Sequence, residues 1–159
     1  MRNRKPVTFA AIFAGLVLIA FLTLLFMGLT AARPDHLGVV DGRLADVPDS
    51  PNCVSTQATD DSHRIDPIPF TGSADTALTA IRNIVSEMSG SRIVEQNDHY
   101  LYAEFRSTVF RFPDDVEFLV DSDQSVIHFR SASRVGHSDL GVNRARMEEI
   151  RRRYQAASP

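Results

Sequence analysis

The sequence predicts an α+β fold: an N-terminal transmembrane helix, then an antiparallel meander sheet of four to five strands covered on one face by two helices. Three observations lead to this prediction. The chain opens with a long apolar run, its middle carries apolar residues at helical spacing, and its second half alternates apolar and polar residues over short consecutive stretches. Alternation with a period of two is typical of strands that bury one face.

The apolar run predicts a helix that spans a membrane. From Val7 to Ala32 there are 26 positions without an ionisable side chain, and as a helix they would extend roughly 39 Å at about 1.5 Å per residue. Arg2, Arg4 and Lys5 precede the run, a bias that keeps the N-terminus in the cytoplasm and exports the remainder of the chain. The alternative is a cleavable signal peptide, but the apolar region of signal peptides is much shorter. We therefore expect an uncleaved anchor.

The net charge of the chain after the apolar run limits the classes of partner that it can bind. From Pro34 onward there are 13 Arg and no Lys against 20 acidic residues, a net charge of −7 with neutral histidines. A domain this acidic repels nucleic acid and anionic headgroups over its surface, so neither is an expected partner of that surface. The single Cys53 excludes an intrachain disulfide, so the domain needs an apolar core of its own.

A proline-rich segment joins the helix to the domain. Residues 34–72 hold five of the eight prolines, which disfavour helix and indicate extended, irregular backbone. The segment also carries apolar residues, among them Leu37, Leu44 and Phe70, in greater number than a flexible stalk would have. We expect this segment to pack along the globular part.

The domain is predicted to run helix, strands, helix. Ser73 is a suitable N-cap, and apolar residues recur behind it at spacings of three and four until Gly90, which permits a left-handed helix end. Strands are predicted over 92–96, 99–106, 109–112, 116–121 and 126–131, the last two joined by the turn sequence SDQS. Asp139 can cap a final helix with an apolar stripe of Val142, Met147, Ile150 and Tyr154.

The alternation assigns the strand residues to two faces. One face is apolar and suited to lie under the helices; it comprises Leu101, Ala103, Phe105, Val116, Phe118, Val120, Ile127 and Phe129. The other face is polar; it comprises Tyr100, Tyr102, Glu104, Arg106, Glu117, His128 and Arg130. Carboxylates and guanidiniums on a concave sheet are able to hold a polar ligand. The common alternative is a solvated face of cross-strand salt bridges.

The loop before the last helix is a second candidate site. It reads ASRVGHSDLG over 132–141 and places Ser133, Arg134, His137 and Asp139 around two glycines, with Asn143 close behind. Free backbone amides at a helix start favour an anion such as phosphate, sulfate or carboxylate. In the alternative, Asp139 caps the helix, Asn143 braces the turn and Arg134 pairs with an acid.

The chain lacks the common catalytic and metal signatures. It contains no GxSxG, HExxH or CxxC, its histidines lack zinc spacing, and no metal or cofactor is predicted. Asp114, Asp115 and Glu117 match no metal loop, so an acidic turn is expected there. The enzyme alternative is an envelope hydrolase or transferase that uses Glu117 or His128 as acid or base, with Cys53 as its candidate nucleophile.

Two blocks of sequence resemble a known family. SPNCVSTQA with DSHRIDPIPF, and YAEFRSTVFRFPDDVEF followed by VIHFRSASRVGHSDLGVNRARME, are similar to motifs of domain-of-unknown-function family 1499, found in bacteria and in plastid lumen proteins. The resemblance covers about 37–154. It places these residues in the family's motif blocks: Cys53, Asp115, Glu117, Arg130, Ser131, Ser133, Arg134, Gly136, Asp139, Gly141, Asn143 and Arg144. His137 stands where related chains carry an aromatic residue. The resemblance implies no particular activity, because none is established for the family.

These features together predict a single-pass protein of the inner membrane with three parts: 1–33, the basic tip and anchor; 34–72, the proline-rich segment; and 73–159, the α+β core. The N-terminus is expected in the cytoplasm and the domain in the periplasm, as a binding or interaction module in cell-envelope maintenance. Expected partners are the lipid bilayer, through the N-terminal helix, and a small anionic ligand or another envelope protein. The candidate ligand-binding residues are Glu104, Arg106, Glu117, His128, Arg130, Ser133, Arg134, Asp139 and Asn143.

Overall fold

The first element is a long apolar helix. The computed structural model describes residues 5–157, so the predicted basic residues Arg2 and Arg4, and the last two residues of the predicted core, lie outside the described residues. Helix α1 spans Lys5–Thr30. Its stretch Phe9–Thr30 has a mean hydropathy of 2.8, and none of its most apolar window is buried. A helix of this length and composition is able to cross a membrane, and a signal sequence near the N-terminus has the same character.

Within residues 5–157, six strands form one antiparallel sheet. They are β1 (Cys53–Ser55), β2 (Ile68–Pro69), β3 (Ser91–Gln96), β4 (Tyr100–Arg106), β5 (Pro113–Asp121) and β6 (Val126–Ser133). Strands β3 to β6 follow one another as a meander, and both β1 and β2 pair with β6. The predicted α+β meander is confirmed. The two short strands in the proline-rich segment were not predicted, because two or three residues show no readable alternation.

Two helices cover the face predicted to be apolar. Helix α2 spans Ala74–Glu87, and the side chain of its N-cap Ser73 accepts a hydrogen bond from the amide of Thr76. Helix α3 spans Val142–Ala157. All eight residues predicted for the apolar face lie in the core, together with residues of both helices. One member of the predicted α3 stripe is outside it: Val142 is 51% exposed.

The strand predicted over 109–112 is wrong, since residues 109 and 110 form a turn and residues 111 and 112 have no regular secondary structure. Strand β5 then begins three residues earlier than predicted, and Asp114 and Asp115, expected in an acidic turn, are buried in it. Each has an arginine partner: Arg146 lies 2.5 Å from the Asp114 carboxylate and Arg134 lies 2.6 Å from that of Asp115. Paired in this way, the two carboxylates can be buried within a strand.

The second face of the sheet is covered as well. Residues 33–48, the covering segment, run across it, and Leu37 and Leu44 pack on the two tyrosines of β4 and on Leu119. The polar face therefore lies beneath backbone and apolar side chains instead of facing open solvent. The two tyrosines suit this position between polar and apolar groups. The ring of each packs against the covering segment, and its hydroxyl donates a hydrogen bond to a buried carboxylate.

Replacing Gly90 with alanine is expected to lower the free energy of unfolding by about 2 kcal/mol or more. Gly90 has a φ of +79°, and an added Cβ would lie 2.6 Å from the backbone oxygen of Arg106, so the variant combines backbone strain with a collision. Gly72→Ala is a matched control: its φ is +86° with nothing within 4 Å, and strain alone should cost about 1 kcal/mol. Thermal unfolding followed by circular dichroism measures both, and equal losses would contradict the close contact at Gly90.

Candidate functional site

The candidate site lies on the polar face of β4, β5 and β6, beneath the covering segment. The register places Tyr102 opposite Glu117, Glu104 opposite Asp115, and Glu117 opposite Arg130. Glu104, Glu117 and Arg130 are only 5%, 0% and 4% exposed. Charges buried to this degree need partners, and their partners define two clusters, each organised around one arginine.

Arg134 is the centre of the first cluster. Its Nε donates to the two carboxylate oxygens of Asp115 at 3.0 and 2.9 Å. Its Nη2 lies 2.5 Å from Oε1 of Glu104 and 2.8 Å from the hydroxyl of Tyr102. Its Nη1 donates to the carbonyl of Ala31, immediately after α1, at 3.2 Å. All three guanidinium nitrogens therefore have acceptors, and two carboxylates share the positive charge.

Arg134 and Glu104 stay ionised at neutral pH. Burial disfavours the charged guanidinium, but hydrogen bonds and charge from Asp115 and Glu104 outweigh it and raise the pKa of Arg134. Burial also tends to raise the pKa of Glu104, yet Arg134 and Arg92 bring it below its usual value. Burial and a hydrogen bond to Asp115 raise the pKa of Tyr102, which remains a neutral donor. This cluster is a closed ion network with its charges directed at one another.

The second cluster is incompletely paired. Glu117 is fully buried, and its Oε1 accepts hydrogen bonds from the Tyr100 hydroxyl and the Gly38 amide, both at 2.8 Å. Its Oε2 lies 3.4 Å from Nη1 of Arg130, which is longer than the roughly 2.7–2.9 Å of a strong charge-assisted bond. Among residues 5–157 this is the one bond made by the guanidinium of Arg130, whose buried Nε has no partner.

A cavity of about 620 Å³ lies between Arg130 and the covering segment. The residues that line it together with Arg130 are His36, Gly38, Val40, Asp41, Arg43, Leu44, Ala45, Asp46, Val47 and Pro48. Arg43 is oriented by a hydrogen bond from its Nη2 to the carbonyl of Gln57 at 3.0 Å. Of the residues predicted for the site, Arg130 is the one that lines this cavity. The cavity therefore combines an apolar wall with a buried guanidinium that has few partners.

The loop before α3 shows the contacts of the capping alternative. The two carboxylate oxygens of Asp139 accept hydrogen bonds from the amides of Gly141 and Asn143 at 3.0 and 2.8 Å. The side chain of Asn143 is fully buried and donates to the hydroxyl of Ser133 at 3.0 Å. The side chain of Arg134 extends away from this loop and lies in the first cluster, beneath the covering segment. The carboxylate of Asp139 thus occupies the position at the helix start that an anion would take.

Arg106 and His128 lie apart from both clusters' centres. Arg106 Nη2 is 3.4 Å from Glu104, and its Nη1 is 3.5 Å from the carbonyl of Gly28 in α1. His128 Nδ1 shares a hydrogen bond of 3.0 Å with the hydroxyl of Thr56. The nine predicted residues therefore do not form one continuous surface. They divide into four groups: Glu104 and Arg106 with Arg134; Glu117 with Arg130; Ser133, Asp139 and Asn143 at the start of α3; and His128 alone.

The catalytic candidates have the surroundings of structural residues. Burial raises the pKa of the Cys53 thiol to about 11, so little thiolate is present at neutral pH. Burial lowers the pKa of His128, and its ring contacts Thr56 and, at 3.9 Å, Asp121, instead of Cys53 or Glu117. Glu117 lies fully buried under the covering segment. The described part of the chain also contains no group of three or more His, Cys, Asp or Glu placed to hold a metal ion.

The residues that the sequence analysis missed are in the covering segment. Gly38 bonds Glu117 across 79 positions of chain, and Arg43 lines the cavity with Arg130. Periodicity compares residues within one helix or strand, so it carries no signal for such distant contacts. The available sign was compositional, since the proline-rich segment holds apolar residues that a solvated linker would not need.

Comparison with known proteins agrees with the motif blocks. The family model described as "Protein of unknown function (DUF1499)" matches residues 43–153, which is 111 of the 159 residues. The match confirms the resemblance seen in the sequence. It begins inside the covering segment and includes all six strands and most of α3. No curated protein matches the chain.

Replacing Arg134 with alanine should lower the free energy of unfolding by about 3 to 5 kcal/mol, because it leaves the buried Asp115 without its counter-charge and removes the nearest counter-charge of Glu104. That loss corresponds to a decrease in Tm of about 10 °C for a protein of this size. Arg92→Ala is the matched control, since Arg92 also bonds Glu104, at 3.2 Å, but its side chain is 69% exposed. Its loss should stay below about 1 kcal/mol. Thermal unfolding of the full chain in detergent micelles measures both, and similar losses would show that the cluster is not cooperative.

Glu104→Gln should make stability less dependent on pH in the acid range. The pKa of Glu104 is lowered from 4.5 by folding, so its stabilising contribution is present above about pH 4.5 and disappears as the pH falls through the folded-state pKa. The variant should be less stable than the natural chain at neutral pH, with a smaller further loss near pH 3. Urea unfolding at the two pH values tests this. A variant with an unchanged acid-induced loss would exclude Glu104 as a contributor.

Proposed function

Since this chain belongs to the DUF1499 family, described as a protein of unknown function, we propose its function from its own geometry: a membrane-anchored periplasmic domain that binds a small anionic ligand at Arg130. The observation that carries the proposal is the guanidinium of Arg130: it is 4% exposed, it lines a cavity of about 620 Å³, and its buried Nε has no partner in the described part of the chain.

Helix α1 supports the proposed membrane anchor. Its stretch Phe9–Thr30 contains 22 residues of high hydropathy, more than the roughly 20 needed to cross a bilayer. Arg2, Arg4 and Lys5 stand at the N-terminal side, which favours a cytoplasmic N-terminus and export of the domain to the periplasm. A binding domain held at the inner membrane in this way suits a role in maintaining the cell envelope.

Unsatisfied donors on Arg130 favour the binding of an anion. A guanidinium has five N–H groups, and within the described residues one of those on Arg130 has an acceptor, at 3.4 Å. A buried donor without a partner costs about 1–3 kcal/mol. A carboxylate or similar anion in the cavity would accept from the guanidinium of Arg130, which lines it, because arginine's planar fork of donors suits such anions. Ligand binding would then recover a cost that the free protein carries.

The cavity wall restricts the class of ligand. Val40, Leu44, Val47 and Pro48 supply apolar surface, which favours an organic body attached to the anionic group. Asp41 and Asp46 line the same cavity, and with a net charge of −7 from Pro34 onward they would repel a polyanion such as nucleic acid. A small monoanionic organic acid therefore fits best.

The test uses benzoate as an organic monoanion, benzamide as its neutral analogue, and inorganic phosphate. In ¹⁵N-labelled full-length protein in detergent micelles, benzoate should shift the Nε–H resonance of Arg130 and raise Tm, whereas benzamide should do neither. At about 100 times the dissociation constant, the stabilisation should approach 2.7 kcal/mol. Arg130→Gln should abolish the effect, and Arg92→Gln, at an exposed arginine that is not part of the cavity lining, should leave it intact.

The measurement on the natural chain decides the outcome even if Arg130→Gln fails to fold. An Arg130 Nε–H resonance that responds to neither benzoate nor phosphate would overturn the proposed site. An equal response to benzamide would also overturn it, because binding would then not depend on the anionic group. A response to phosphate alone would contradict the assignment of an organic body to the ligand.

A further inference from the structure

We propose that the domain has a second membrane contact: the loop 107–112, together with Leu140 and Val142, enters the hydrocarbon layer beside α1. This inference rests on the proposed spanning role of α1 and adds a lipid-binding surface on the domain itself. The occupant we assign to that surface is the acyl chains of the periplasmic leaflet. Val109, Phe110, Leu140 and Val142 together form this insertion surface.

The insertion surface is apolar and open. Val109, Leu140 and Val142 are 59%, 93% and 51% exposed. Leu140 has a φ of +55°, a conformation uncommon for a non-glycine residue and strained for leucine. The backbone thus holds a large apolar side chain outward at a local cost. Such a side chain gains nothing in water and is favoured in lipid.

The loop is fixed against the side of α1. The ring centroids of Phe21 and Phe110 are 5.5 Å apart, as are those of Phe110 and Phe112. Gly28 lies further along the helix and is in contact with the backbone oxygen of Phe110, so closely that a Cβ could not be accommodated. Phe21 and Gly28 are seven residues apart, which places them on the same face of the helix. The loop therefore runs beside about two turns of α1.

The position of Phe21 along α1 sets the depth of the loop. Spanning the hydrocarbon layer takes about 20 helical residues. If the layer began immediately after the charged Lys5, 20 residues would extend from position 6 to position 25, four residues beyond Phe21. The ring of Phe110, which contacts Phe21, would then lie within the hydrocarbon. Any span that starts later in the helix places Phe110 deeper.

Two further features fit a lipid partner. A cavity of about 370 Å³ between α1 and the loops has one wall of Leu24, Met27, Phe112 and Leu140, which suits an acyl chain, and polar residues that include Asp114 and Asp139 complete its lining. Arg111, next to Phe110 in the loop, is exposed and has a φ of +59°. No carboxylate of residues 5–157 pairs with its guanidinium, so its long side chain would extend from the hydrocarbon layer to a lipid phosphate at the surface.

Single tryptophans can test the inference, because the natural chain contains none. The full chain is reconstituted into phosphatidylcholine and phosphatidylglycerol vesicles that carry brominated acyl chains. Val109→Trp and Leu140→Trp should show blue-shifted emission and lose most of it to bromine quenching, as should Leu18→Trp in the middle of α1. Asp123→Trp, in the exposed turn between β5 and β6 at the other end of the meander, should emit as in water and resist quenching.

The variants separate this inference from the proposed anchor. The insertion surface would be overturned, and the anchor would stand, if bromine quenched Leu18→Trp but neither Val109→Trp nor Leu140→Trp. An unquenched Leu18→Trp would overturn the anchor. The tryptophans replace exposed side chains, so folding should be retained, and circular dichroism of each variant verifies it.

Discussion

The burial of charge beneath the covering segment is the constraint on which the rest of the structure depends. Arg134 reaches Asp115 and Glu104 at 2.6 and 2.5 Å with a side chain only 5% exposed. Separately, any one of these ions would be costly to remove from water; together they are compensated. This pairing allows β5 to carry Asp115 in its buried part and lets residues 33–48 lie across the polar face. The two tyrosines of β4 complete the layer by donating to buried carboxylates.

Two arginines on neighbouring elements of this face have opposite states. Arg134 has acceptors on all three nitrogens, whereas Arg130 makes one long bond within residues 5–157 and its Nε has no partner there. Their positions in the sequence are similar, since both lie in or directly after β6. The difference comes from what covers them: the end of α1 and two acids surround Arg134, while a cavity adjoins Arg130. A buried cation with too few acceptors suggests a site for an anionic ligand, and a cation with all its hydrogen bonds made suggests a role in stabilising the fold.

The sequence predicts the local parts of this fold better than its long-range contacts. Alternation identifies β4 to β6 and sorts their residues into two faces, because that pattern is set by neighbours along one strand. It misplaces the start of β5, because Asp114 and Asp115 look like turn residues until Arg146 and Arg134 are seen beside them. The candidate site is the part that the sequence predicts least well, because its contacts join residues far apart in the chain. Arg130 was predicted, but its cavity wall is formed by residues 36–48, far earlier in the chain, which no periodicity reveals.

The contacts between α1 and the domain link protein processing to folding. Arg134 and Arg106 donate to the carbonyls of Ala31 and Gly28, where the partial negative charge of a helix end favours cations. A protease that released the domain near residue 32 would remove these acceptors and uncover the aromatic rings of the 107–112 loop. The shed fragment would be less stable and more prone to aggregate than the tethered form. Cleavage between α1 and the domain would then change the solubility of the domain as well as its location.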